Sequence, residues 1–173
     1  MRGHMEVIAN NEDGIFYYHQ SPNKIVTHGE NCMAKMLFGN DGGDEVGTVV
    51  CVGIINAGWN FIGLGETGGP SSAFVDGDTG LRDPADSAGL NTNTQGTITW
   101  TNSTGGSFQT TLISVQFTNT GATEVVNEAG MFNGTAGANT SMFAGNNFAN
   151  VTLNNGDDIT INWTFEIGEA TVP

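Results

Sequence analysis

The residues best equipped for chemistry in this 173-residue chain are carboxylates. Four of them crowd the stretch Asp76-Gly-Asp-Thr-Gly-Leu-Arg-Asp-Pro-Ala-Asp86, namely Asp76, Asp78, Asp83 and Asp86. Gly77 and Gly80 allow such a loop to curl, and hard oxygen ligands on a flexible loop are what calcium takes. The spacing is not that of an EF-hand, because no glutamate arrives at the twelfth position. The competing reading is a solvated acidic turn in which Arg82 compensates locally.

Other reactive groups are sparse. His4, His19 and His28 lie in the first fifth of the chain, without metal-ligand spacing. Cys32 and Cys51 are too few for a disulfide framework or a zinc set; they read as buried thiols, with a single disulfide as the alternative. Gly63-Leu-Gly-Glu-Thr-Gly-Gly69 has the glycines of a phosphate cradle but not the Lys-Ser/Thr of a P-loop, and reads as a turn. Asn-x-Ser/Thr sequons fall at Asn102, Asn133, Asn139, Asn150 and Asn162, and matter only on a glycosylating surface. Nucleophile, base and orienting group come together nowhere, so the expectation is a protein that is not an enzyme.

Charge narrows the partners. Eighteen acidic and four basic residues give a formal net charge of −14, a field that repels nucleic acid and anionic lipid headgroups. No apolar run approaches the roughly 20 residues of a membrane span, and the first twenty residues lack a signal-peptide pattern. Only 13% of residues are charged, and Gly, Asn and Thr supply the polarity instead. That composition suits short strands and turns better than long helices.

The elements follow from periodicity. Residues 1–20 read as a partly extended N-terminal arm, able to add a strand to the open edge of a neighbouring subunit. On that reading, removing the arm abolishes assembly and leaves the remaining domain, residues 21–173, folded. Within that stretch Met1 to Asp13 reads as the arm proper, and Gly14-Ile-Phe-Tyr-Tyr-His19 as the first strand, closed by Ser21-Pro22-Asn23. Thr27, Glu30 and Gly39 frame one short helix with Cys32, Met33, Met36 and Leu37 on its apolar face. Val46 to Asn56 is an apolar strand, Trp59 to Gly65 another, and Glu66 to Leu90 a long loop. Strands are expected at Thr97–Thr101, Phe108–Phe117, Ala149–Leu153 and Asp158–Ile167. The last has Ile159, Ile161, Trp163, Phe165 and Ile167 on one face and polar residues on the other. Met131-Phe132 and Met142-Phe143 sit on two antiparallel strands that bury them as core. The sum is a mainly β, antiparallel sandwich, jelly-roll or immunoglobulin-like Greek key, with one short N-terminal helix.

The order of motifs carries a resemblance. Asn23-Lys-Ile-Val-Thr-His-Gly29, Leu37-Phe-Gly39, Phe61-Ile-Gly-Leu-Gly-Glu-Thr67, Asp78-Thr-Gly-Leu81, Glu128-Ala-Gly-Met-Phe132, Ser141-Met-Phe-Ala144 with Phe148, and Gly156-Asp-Asp-Ile-Thr-Ile-Asn-Trp-Thr164 follow one another. This succession resembles small virion proteins of tailed bacterial and archaeal viruses, over about residues 23–167. The usual basic residue after the methionine-containing strand is missing, since Ala144-Gly145 follow Met142-Phe143. The resemblance implies a structural subunit of the capsid surface or tail, located in the virion, with copies of itself and other particle subunits as partners and no catalytic residues. Phe16, Tyr17, Tyr18, Trp59 and Phe74 are the candidate interface anchors. Two other functions fit the composition: a pilus-like filament subunit on the extracellular cell surface, joined by donor strands, and a calcium-dependent carbohydrate-binding sandwich.

Overall fold

The computed structural model describes residues 2–22, 24–25, 59–66, 74–75, 77–102, 108–135 and 141–168. The expected helix framed by Thr27 and Gly39, the strand at 46–56, Cys32, Cys51, His28, Asp76 and Asn139 lie outside them. Among the described residues there are ten strands and no helix. They are β1 (Arg2–Asn11), β2 (Gly14–Pro22), β3 (Lys24–Ile25), β4 (Phe61–Glu66), β5 (Thr94–Gln95), β6 (Thr97–Asn102), β7 (Phe108–Thr118), β8 (Glu124–Phe132), β9 (Met142–Leu153) and β10 (Asp158–Gly168).

These strands form two antiparallel sheets of five. Sheet A runs β2-β1-β10-β7-β6 and sheet B runs β3-β9-β8-β4-β5. Both contribute to one hydrophobic core, with Met5, Val7 and Ala9 of β1, Val115 of β7, Met131 of β8, Leu153 of β9 and Trp163 of β10 among its members. β10 shows why it sits at the centre. Ile159, Ile161, Trp163 and Phe165 are buried while Thr160, Asn162, Thr164 and Glu166 are half-exposed, the period of two expected from its sequence.

Residues 2–22 correct the expectation of an arm. β1 lies between β2 and β10, pairing with β10 from Arg2↔Glu166 to Asn10↔Asp158. Met5, Val7 and Ala9 are fully buried and alternate with half-exposed His4, Glu6, Ile8 and Asn10. The alternation is short and ends on a small alanine, so it is a weak strand signal that tertiary burial completes. The turn to β2 is locally encoded: Asn11 Oδ1 accepts the Asp13 N–H at 2.9 Å, and Gly14 takes the positive φ of 116° that the reversal needs.

Sheet B is covered on both faces, which explains its adjacent Met-Phe pairs. Met131 and Phe143 join the main core, whereas Phe132 and Met142 join Phe61 and Phe74 in a second cluster, flanked by Leu81. The expected hairpin is present, with Phe132 opposite Met142 and Met131 opposite Ala144. Alternation fails as a signal wherever both faces are dry. The second cluster owes its cover to the loop after β4. Phe74 lies against Gly145, where an added Cβ would stand only 2.8 Å from its ring. The same holds within β4. A Cβ on Gly63 would overlap Asn93 Oδ1, and one on Gly65 would meet Glu128 Cγ at 2.6 Å. Gly63 and Gly65, the first two glycines of the stretch that resembled a phosphate cradle, are thus strand residues over which other side chains fold, not a turn, while Gly68 and Gly69 lie outside the described residues.

Candidate functional site

The three described aspartates of the acidic stretch, Asp78, Asp83 and Asp86, do not act as one set. Asp78 Oδ2 bonds Arg82 at 3.0 Å and accepts the Val75 N–H at 2.8 Å. Arg82 also stands 4.8 Å over the Phe74 ring, which ties the loop to the second cluster. Asp83 contributes through its backbone, its carbonyl accepting the Glu66 N–H at 2.7 Å. Asp86 turns to a different group. Among the described residues, Glu66, Asp86 and Glu124 bring carboxylate oxygens within 4.8 Å of one another. They line an open groove of about 540 Å³ with Ser87, Thr123 and Val125.

Glu124 anchors this group. It is buried, and its two oxygens accept the N–H groups of Asp86 (3.1 Å) and Ser87 (2.7 Å). Those bonds fasten the long loop to the start of β8. Partial burial pushes the Glu66 carboxyl above its ordinary range, helped by the nearby charges of Asp86, Glu124 and Asp83. Three carboxylates of this kind have the hard-oxygen chemistry of a calcium site. Sequence reading placed Asp86 there but missed Glu66 and Glu124, because they come from two strands far apart in the chain.

Glu128 is the most deeply placed acid among the described residues, 1% exposed beneath Gly65. Burial raises its carboxyl above the ordinary 4.5, and the Arg82 N–H at 3.4 Å with the Arg82 charge offsets only part of that. The folded chain therefore holds this proton more tightly than the unfolded chain. The stability contributed by Glu128 therefore falls as pH rises from about 4.5 through the raised value, where the folded state alone keeps the proton. A Glu128→Gln variant is expected to gain in melting temperature over the native chain across that rise and to hold a constant advantage above it. Thermal melts at several pH values check this; an advantage independent of pH would contradict it.

The outer face of sheet A carries a second organised surface. Tyr18 Oη donates to Glu6 Oε1 at 2.9 Å, Asn162 Nδ2 donates to Glu6 Oε2 at 2.6 Å, and Ser114 Oγ donates to Asn162 Oδ1 at 2.7 Å. This relay crosses β2, β1, β10 and β7 and ends at the edge strand β2. There Ile15 (68%), Phe16 (45%) and Tyr18 (59%) are exposed. Tyr17 is half-buried beside Phe148, and Trp59 packs against Phe143 at 5.5 Å between centroids. Phe74, expected as an interface anchor, is instead 5% exposed and serves the chain's own second cluster.

His4 is half-exposed in β1, and His19 Nε2 lies 3.0 Å from Ser21 Oγ with its ring stacked on Tyr17. Of the sequons, Asn150 is exposed on β9. Asn133 is buried, its Oδ1 accepting the Ser141 N–H at 2.9 Å, so a glycan has no room there. Asn162 is held in the relay, and Asn102 lies on β6. Among the described residues no helix is long and apolar enough to cross a membrane.

Comparison with known protein families, with curated proteins and with solved structures gives no match.

Proposed function

We propose that the chain is a non-enzymatic structural subunit of a tailed-virus particle, at the capsid surface or in the tail, assembling with copies of itself and with other particle subunits. The observation that carries this reading is the outer face of sheet A, a hydrogen-bonded polar surface bordered by an edge strand with exposed Ile15, Phe16 and Tyr18. A monomer working alone gains nothing from a long apolar edge, whereas an assembling subunit uses it. The order of sequence motifs resembling small virion proteins supports the same assignment. The finer fold that suits the topology is an immunoglobulin-like sandwich, because β6–β7 and β8–β9 each stay within one sheet as hairpins while the chain alternates sheets between them. Mass spectrometry and immunogold labelling of purified virus particles test the reading. A stoichiometric band with label on the particle is expected; label confined to filaments on cells would give the function to a surface filament instead.

One observation favours a second reading. The Glu66–Asp86–Glu124 group in its groove is the feature a calcium-dependent carbohydrate-binding sandwich would need. Calorimetry with calcium, alone and then with a glycan panel, separates the two: heat from both ligands supports the binder, and silence dismisses it.

A further inference from the structure

Two copies of this chain meet a general obstacle, since each carries a formal net charge of −14. Contact between copies is favoured only where the surface is free of acid or where acid meets base. β2, Gly14-Ile-Phe-Tyr-Tyr-His-Gln-Ser-Pro22, contains no Asp, Glu, Lys or Arg. It is an edge of sheet A, and among the described residues its outer side has no strand partner. The edge strands of sheet B, β3 and β5, are two residues each, and shortness is a common way of blunting an edge. β2 is nine residues long and carries no such protection along its middle. The bulge in its pairing with β1 leaves Phe16 without a counterpart between Ala9↔Tyr17 and Asn10↔Ile15, so the regular part of the edge is Tyr17 to Ser21.

The ends of β2 are oppositely charged. Glu12 and Asp13 form the turn that precedes it. Arg2 and Lys24, two of the four basic residues in the chain, lie at its other end: β1 passes His4 opposite Pro22 and begins at Arg2, and Lys24 follows two residues after β2 stops. A strand with acid at its start and base at its finish is complementary to itself when reversed. It is not complementary to a copy running the same way.

We propose that β2 pairs with β2 of a second copy, antiparallel about a two-fold axis near His19, and so joins two A sheets into one continuous sheet of ten strands. The geometry of a sheet then fixes the neighbours. Tyr18 stands across from Gln20 of the other copy, Tyr17 across from Ser21, and each acidic turn beside the basic end of its partner. Ile15, Phe16 and Tyr18 lose water on pairing, which supplies an apolar contribution to the backbone hydrogen bonds. The two Glu6 residues are the nearest acids of the middle region. They lie three strand spacings apart, roughly 14 Å, beyond the Debye length of about 8 Å at physiological salt. The edge at β6 is the competitor, but it is six residues long and would meet β2 in parallel, the less stable pairing. The inference deepens the structural-subunit reading and rests on it for the biological use of the pair.

Sedimentation velocity on the full chain over a concentration series tests the pairing, together with hydrogen exchange of the β2 amides. A reversible dimer is expected, with β2 exchange slowing as concentration rises. A Tyr18→Lys/Gln20→Lys variant places lysines around Glu6 within one copy, which preserves the fold, but sets lysine against lysine across the axis. It is expected to dissociate at least about ten-fold more readily while keeping its melting transition. Ile98→Lys on the opposite edge should leave the dimer intact. A monomer at all concentrations, β2 exchange indifferent to concentration, or dissociation caused by Ile98→Lys would each overturn the proposal. A monomer still found in purified virus particles overturns the pairing and leaves the subunit reading; a β2-paired dimer absent from particles does the reverse.

Discussion

A chain beginning at residue 14 is expected to lose its cooperative unfolding transition altogether. Removing β1 takes Met5, Val7 and Ala9 out of the core and strips β10 of its partner from Asp158 to Glu166. β10 would then present Ile159, Ile161 and Trp163 beside an unpaired edge, and β2 would have no strand to join. Truncating even one fully buried side chain of this size, as in Met5→Ala, costs about 2–5 kcal/mol. The loss of the whole strand exceeds the roughly 5–15 kcal/mol by which a domain of this size is stable. Urea titration followed by circular dichroism checks it, with Val7→Asp as a milder version. A truncated chain that still melts cooperatively would show that β1 is dispensable and would restore the view of residues 1–20 as an arm.

The second large effect is expected from one amide. Asn119 is fully buried, and its side chain ties its own turn to Ser87 and to the end of β9 through four hydrogen bonds. Its Nδ2 donates to the carbonyls of Ala122 and Leu153, both at 2.8 Å, and its Oδ1 accepts the Ser87 hydroxyl and the Gly121 N–H, both at 2.9 Å. Its backbone adds bonds to Asp157 and Gly156 in the turn between β9 and β10. Asn119→Asp keeps the shape and loses the two donors, turning a carboxylate toward the buried Leu153 carbonyl and the partly buried Ala122 carbonyl. Each buried group left unpaired costs about 1–3 kcal/mol, and the buried charge adds to it. A loss of roughly 4 kcal/mol or more is expected by denaturant titration. Proton uptake relieves the charge, so the deficit should shrink toward acid pH. A loss below 1 kcal/mol would mean that water reaches the site.

What the chain revealed before its fold was known depended on how many faces of each strand are wet. β10 alternates cleanly because sheet A keeps one polar face, so its burial pattern could be read residue by residue. The segments at Phe61, Phe108 and Met142 were recognisable as strands, though the last runs on to Leu153 as one element. β1 was missed because three modest residues, Met5, Val7 and Ala9, carry its signal and nothing local says that β10, more than 140 residues later, will cover them. The acidic group was half legible for the same reason. Asp86 announces itself among neighbouring aspartates, while Glu66 and Glu124 are single acids in apolar strands that only sheet pairing and a long loop bring together. Asn119 gave no signal, since its role rests on Ser87 and Leu153, both more than thirty residues away, as much as on Gly121 and Ala122 in its own turn.

The position of β10 also governs how the protein is made. Sheet A is held at its centre by a strand that is synthesised after all of its neighbours. While the ribosome is still adding residues up to 157, β1 and β7 have each made their hairpins but have no common partner. Main-chain groups and apolar faces on both sides of the gap remain open until β10 emerges and slots between them. Folding of this half therefore waits for β10 and is dominated by contacts between strands far apart in sequence, which makes it correspondingly slow. Nascent chains share the same uncharged strand that we assign to pairing between mature copies. Crowded polysomes would bring such strands together early, so expression at low temperature and low template density should raise the soluble yield.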